Sequence, residues 1–163
     1  MTTRGHHGLL LQAVDAPPPG DTHSYWRFHI SAAASGAYAS VAGIEFRASP
    51  GGADQCFGGT ALADSYYSAG YEPAKAFDHD NATVWASAST FPHWIGYQFP
   101  APVSVAEAAI IATPYAYGDS PRLECPKDFT IEWSDDGTAW TVAQTVTGQT
   151  GWGYNEERAF MVP

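Results

Sequence analysis

The chain has 163 residues, enough for one domain with a sizeable core and too few for two comfortable ones. Seven basic residues stand against seventeen acidic ones, a formal charge of -10 that repels phosphate backbones and anionic lipid surfaces, so neither nucleic acid nor membrane insertion is expected. An aromatic fraction of 14% with 16 glycines and 12 prolines favours many short strands joined by tight turns, an all-β fold.

Residues 1–22 hold the paired histidines His6 and His7, a short apolar run and a PPPG stretch that stiffens and then releases the chain. They read as a leader or linker ahead of a single domain over residues 23–163. The apolar run lacks the longer hydrophobic region and small-residue cleavage site of a signal peptide. From Tyr25 the pattern changes: Trp26, Phe28 and Ile30 alternate with Arg27, His29 and Ser31, as in a half-buried antiparallel strand. A small-residue stretch around Gly36 leads to SVAGIEFRA, where Ile44 and Phe46 alternate with Glu45 and Arg47. Residues 49–59, with PGG and FGG, form a loop. Tyr66, Tyr67 and Tyr71 follow in a Ser/Gly context. A tyrosine in a loop offers flat apolar area and a hydroxyl at small entropic cost, which suits ligand contact, although at least one of these rings is expected to plug the end of a sandwich.

Residues 76–99 are the most informative stretch. Asp78, Asp80 and Thr83 put three hard oxygen side chains in one tight turn, where backbone carbonyls could complete the shell of a calcium ion. The same side chains equally suit bonding to nearby backbone groups in an ordinary loop. From His93, Ile95, Tyr97 and Phe99 alternate with Trp94, Gly96 and Gln98, which predicts a strand on a core. Residues 103–113 form a mostly apolar strand. A long loop over residues 114–126 contains Tyr115, Tyr117, Asp119, Arg122 and Cys125. Phe129, Ile131 and Trp133 then alternate with polar residues up to Asp135-Asp136-Gly137, a hairpin turn into Trp140 and Val142. A glycine-rich loop exposes Trp152 and Tyr154 beside Asn155, and residues 158–162 close with a last strand. Trp85, Trp94 and Trp133 are assigned to the core. Cys56 and Cys125 leave one disulfide open, with buried thiols the alternative.

Three ordered motifs, PAKAFDHDNATVWAS, HWIGYQF and PKDFTIEWSDDGTAWT, span residues 73–141 and closely resemble the F5/8 type C (discoidin) domains, which include the family 32 carbohydrate-binding modules. The resemblance implies a jelly-roll β-sandwich with ligand loops at one end. Family members usually end in a strand pair whose likeness here, YWRFHIS and SVAGIEFR, comes first, so the domain looks circularly permuted. That arrangement is similar to domains of bacteriophage tail proteins, where it serves attachment. The resemblance also implies a structural calcium held by Asp78, Asp80, Thr83 and the carbonyls of Ala76 and Ala42. It is weakened because Gly43 stands where relatives supply a carboxylate.

Galactose-binding relatives often carry a histidine near the TxW motif and an Arg/Asn pair before PKDF, but here Ala86 follows Trp85 and that pattern does not carry over. What remains is an aromatic rim of Tyr66, Tyr67, His93, Tyr115, Tyr117, Trp152 and Tyr154, expected to stack on sugar faces, with Asp119, Arg122 and Asn155 bonding hydroxyls. The expected function is a non-catalytic carbohydrate-binding or host-attachment module, extracellular or virion-associated, whose partner is a glycan or cell-surface polysaccharide. The alternative is a structural or protein-binding domain that contacts other subunits of a tail assembly. Asp135 and Asp136 are explained by the hairpin turn, and no nucleophile-base constellation is seen, so no enzyme is expected.

Overall fold

A computed structural model describes residues 21–114 and 124–163. Ten strands follow in chain order: β1 (His23–Ala33), β2 (Ser40–Val41), β3 (Gly43–Arg47), β4 (Thr60–Ala63), β5 (Trp85–Ala86), β6 (His93–Val103), β7 (Glu107–Ile111), β8 (Pro126–Ser134), β9 (Thr141–Val146) and β10 (Glu157–Met161). A 3-10 turn spans Pro73–Ala76. The strands form a five-stranded sheet in the order β4-β6-β1-β8-β9, a three-stranded sheet β10-β7-β3, and a short β2-β5 pair, all antiparallel.

The alternation read from the sequence is what joins the two larger sheets. Trp26, Phe28 and Ile30 of β1, Ile95, Tyr97 and Phe99 of β6, and Phe129 and Ile131 of β8 are buried on one face of the five-stranded sheet. Ile44 and Phe46 of β3 with Ala108 and Ile110 of β7 are buried on the facing sheet. Phe46 is the hub: its ring lies 5.7 Å from Phe28, 6.1 Å from Phe99 and 6.3 Å from Trp26, while Phe129 meets Phe160 at 5.1 Å. These contacts across the layers define a β-sandwich.

The outward positions of the three-stranded sheet are polar but joined. Arg47 donates to Glu45, Glu107 and Glu157 at 2.6–2.9 Å, which ties β3, β7 and β10 together across their outer face. On the outer face of the five-stranded sheet, Arg27 pairs with Glu132 at 2.7 Å and its guanidinium lies 3.8 Å from the centre of the Trp140 ring. Gly96 sits opposite Arg27 in the ladder, and a Cβ there would reach within 2.6 Å of the Arg27 Cβ. That close approach is why the outward position between Trp94 and Gln98 on β6 is a glycine.

Several expectations change. Trp85 is fully buried and Trp133, half-buried, packs against the core as expected, but Trp94 is half-buried and outside it. Trp94 alternates with the core residues Ile95 and Tyr97 and so faces outward, and Trp133 lies at a sheet end, stacked 3.5 Å from His23. The single strand expected over SVAGIEFRA divides at Ala42 into β2 and β3, which belong to different sheets. The hairpin at Asp135 forms as expected, with Trp140 in its loop and the second strand starting at Thr141. Cys56 and Cys125 are buried and are not bridged. Burial raises both thiols, Cys125 to about 11.

Replacing Phe46 by alanine removes the ring that three others of the core touch. The expected outcome is a loss of about 3–5 kcal/mol of unfolding free energy, read by denaturant titration. A loss under about 1 kcal/mol would mean the sheets are held together elsewhere.

Candidate functional site

The registers bring one set of strand ends together. Ala33 of β1 pairs with Pro126, Ile30 with His93, Ala63 with Ile95, and Glu157 with Ile111, so the connections 34–39, 64–72, 87–92 and 147–156 leave the same end of the sandwich. Backbone bonds lash them together: Ala34 N–H to Cys125 O, Thr90 N–H to Ala37 O, Tyr67 N–H to Ala86 O, Gln149 N–H to Lys127 O and Asn155 N–H to Thr113 O, at 2.8–3.3 Å. Two residues here, Thr90 at φ 83° and Asn155 at φ 51°, occupy the left-handed region without being glycine. A β-branched residue there is strained, and such strain persists only where surrounding contacts over-determine the loop.

Tyr66 and Tyr67 are 51% and 60% exposed on the 64–72 loop, and Tyr154 is 49% exposed on the 147–156 loop beside Asn155, as the sequence predicts. Tyr115, Tyr117, Asp119 and Arg122 lie outside the described residues. The structure adds two rings that sequence reasoning left out of the site. Tyr67 meets Tyr38 and Tyr71 edge-to-face, with centroids 5.6 and 5.8 Å away. Tyr38 is a lone aromatic in a run of small residues, and only the pairing of loops 34–39 and 87–92 places it beside Tyr67.

Two members of the expected rim are not rim residues. Trp152 is 3% exposed: its Nε1–H donates to Pro126 O at 3.3 Å, and the Arg158 guanidinium covers its ring at 4.1 Å. Glu156 completes that arrangement, accepting from Arg158 Nε at 2.7 Å and from the Gly153 N–H, and both interactions hold its carboxyl below the usual range. Trp152 is therefore a peg that anchors the loop presenting Tyr154. His93 is likewise buried, 4% exposed. Its Nδ1–H donates to Asp64 Oδ2 at 2.8 Å, with Ser65 Oγ at 3.3 Å from the same nitrogen. Asp64 also accepts from the Trp94 N–H at 2.9 Å, so this cluster sets the root of the 64–72 loop. Serine and aspartate share one ring nitrogen, and Nε2 is buried without a hydrogen-bond partner, so the trio cannot pass a proton from serine through histidine to aspartate.

In the polar turn, Asp80 Oδ1 accepts from the Ala82 N–H at 2.9 Å, and Asp78 Oδ1 accepts from the Asp80 N–H at 3.0 Å. The Asp80 side chain thus caps the turn. Four other oxygens, Lys75 O, Asp78 Oδ1, Asp78 Oδ2 and Asp80 O, lie 2.8–3.1 Å from Thr83 Oγ1. One hydroxyl proton cannot serve all four, and other donors share them: Asp78 Oδ1 takes the Asp80 N–H, Asp80 O takes the Thr83 N–H at 3.0 Å, and Asp78 Oδ2 faces Lys75 Nζ at 3.7 Å, so the turn is bonded internally while it gathers hard oxygens of the type a calcium ion takes. Ala42 and Ala76 line the small cavity next to this knot with Gly43 and Asn81. A Cβ on Gly43 would lie 2.6 Å from Ile111 Cδ1, so a longer side chain at that position would have to displace the isoleucine. Among the described residues no three His, Cys, Asp or Glu side chains cluster as a metal site.

Over residues 75–162 the chain matches the model of the NedA-like, galactose-binding domain, an F5/F8 type C family. It belongs to this family. The NedA-like match takes in the polar turn and strands β5 to β10, and strands β1 to β4 lie ahead of it. No significant match was found among curated proteins or among solved structures. The NedA-like domain is a binding domain, which agrees with loops that gather exposed aromatic rings at one end of a rigid sandwich. Among the described residues no helix is long and apolar enough to cross a membrane.

Proposed function

We propose that this chain is a non-catalytic glycan-binding domain that holds a saccharide at the loop end of its sandwich and serves attachment to a cell-surface polysaccharide outside the cell or on a virion. The observation that carries this reading is the exposure of Tyr66, Tyr67 and Tyr154 on loops fixed from below by buried His93 and Trp152. Rings on a pre-organised base contact a sugar face without the cost of ordering a loop. Asn155 stands beside Tyr154 to bond hydroxyls, and Tyr115, Tyr117, Asp119 and Arg122, which lie outside the described residues, are proposed to take part from the sequence segment between Pro114 and Glu124. A circular permutation accompanies this reading. β1 fills the centre of the large sheet from ahead of the matched region. Its first residue pairs with Val103 and the last residue of β10 pairs with Glu107, only a short loop apart, so the two ends of the domain are neighbours.

A second reading is a structural domain of a phage tail or other extracellular assembly. It is favoured by Val142 and Met161, 53% and 52% exposed on β9 and β10, each an edge strand of its sheet. Calorimetric titration with galactose and other neutral saccharides separates the two. The glycan reading expects saturable binding in the millimolar range or tighter that drops about tenfold or more in Tyr67→Ala. No binding of any saccharide, together with a stable oligomer through β9 or β10, would favour assembly.

For the turn we propose a weak structural calcium held by Asp78, by the Thr83 hydroxyl and by the carbonyls of Lys75 and Asp80, with Ala76 and Ala42 at its margin. With one carboxylate among these donors, affinity is expected at the weak end of extracellular sites, ~10⁻⁴–10⁻³ M. Added calcium should therefore raise the melting temperature in a concentration-dependent way, and Asp78→Asn should abolish that rise. A melting curve that neither calcium nor a chelator moves would remove the ion.

A further inference from the structure

Three tyrosines from two loops meet at the ligand end. Tyr67 stands at 86° to Tyr38 and at 90° to Tyr71, with centroids 5.6 and 5.8 Å away. Neither pair is stacked: in each, the edge of one ring meets the face of the other, so each contact covers one ring face where a parallel pair would cover two. Tyr67 is 60% exposed, and Tyr38 and Tyr71 are half-buried. Tyr67 is thus the ring that both neighbours touch and the one most open to solvent, the centre of an aromatic corner.

The two loops that carry these rings bear charge of one sign. The loops 34–39 and 64–72 contain no lysine or arginine, and the acidic residues Asp64 and Glu72 flank the tyrosines of the second loop. Glu72 is fixed there, accepting from the Gly70 N–H at 2.9 Å, and that bond keeps its carboxyl ionised to lower pH than usual. Glu124 accepts from Ser40 Oγ at 2.8 Å, two residues from Tyr38. The nearest lysine along the chain, Lys75, faces Asp78 at 3.7 Å. An anion approaching the corner meets like charge, and a cation meets aromatic faces backed by carboxylates.

We infer that the Tyr38–Tyr67–Tyr71 corner binds a quaternary ammonium group, such as the choline substituent of a surface polymer. The quaternary form fits better than a primary amine. Its charge is spread over methyl groups and weakly hydrated, so it leaves water for ring faces at small cost, whereas a compact ammonium is strongly hydrated. The inference rests on the loop end being the ligand face and specifies what one part of that face takes.

The test uses the full chain and two probes of equal shape, choline and its uncharged carbon isostere dimethylbutanol, titrated at constant ionic strength and followed by NMR. Choline should bind about tenfold or more tightly than the isostere. Tyr67→Phe, which keeps the π face, should retain that binding within about twofold, and Tyr67→Leu should lose about tenfold. Tyr67 is largely exposed, so both variants are expected to melt with the parent. Equal affinity for the two probes, no saturable binding of choline up to ~50 mM, or full retention in Tyr67→Leu would overturn the inference. Saccharide binding without choline binding overturns this inference alone. Absence of both overturns the loop-end reading with it.

Discussion

Phe46 is the contact on which the rest depends. Its ring, fully buried on the short strand β3, is the point where the three-stranded sheet touches Trp26, Phe28 and Phe99 of the five-stranded one. A five-residue strand cannot hold two sheets by its ladder alone, and the burial of large rings from both layers supplies the missing free energy. Arg47, next along the chain, points the opposite way and ties the outer face of the same sheet through three glutamates. Inner packing and outer ion pairs thus come from adjacent residues, as strand alternation requires. Removing only the arginine would leave those carboxylates facing one another, so the outer cluster depends on Arg47 as the inner one does on Phe46.

The sandwich transmits this rigidity to its loops. β1 crosses the centre of the large sheet, and its end at Ala33 sits beside Pro126, whose carbonyl receives the Trp152 indole N–H. β6 begins at His93, whose ring is clamped by Asp64 at the root of the tyrosine loop. The buried aromatics at this end root the loops that carry the exposed ones: Trp152 lies on the loop of Tyr154, and His93 and Trp85 bond Asp64 and Ser65 at the root of the loop of Tyr66 and Tyr67. The Trp85 Nε1–H donates to Ser65 O at 3.1 Å, so even the fully buried tryptophan of the TVWAS motif positions the tyrosine loop. Binding domains need this combination, because an ordered base lowers the entropic cost that contact with a ligand would otherwise carry.

The core was legible in the sequence wherever hydrophobic alternation ran for five residues or more, as in β1, β3, β6 and β8. The family was legible in three motifs that fall largely inside the matched segment. Periodicity also separates two tryptophans that were both assigned to the core: Trp94 is out of phase with Ile95 and Tyr97 and lies outward beside Arg27, whereas Trp133 is in phase with Phe129 and Ile131 and stacks on His23 at a sheet end. What it could not reveal was which way a loop tryptophan faces. Trp152 looked like a ligand residue because glycines surround it. Those glycines instead give the loop the positive φ values at Gly148 and Gly151 that turn it back over the ring. Tyr38 was overlooked because its relation to Tyr67 is made only by long-range pairing, which no local pattern records. In the polar turn the Asp80 carboxylate caps the Ala82 N–H, and the backbone carbonyl of Asp80 faces Thr83, a division of labour that sequence spacing does not record.

The central claim is that ligand is held by the loop end of the sandwich and not by its sheet faces or edges. Amide chemical-shift mapping of the full chain during a galactose titration tests it most directly. The account predicts shifts concentrated in residues 34–40, 64–72, 87–92 and 147–156, with β9, β10 and the outer face around Arg27 and Trp140 unchanged. Shifts confined to that outer face, or to β9 and β10, would contradict it.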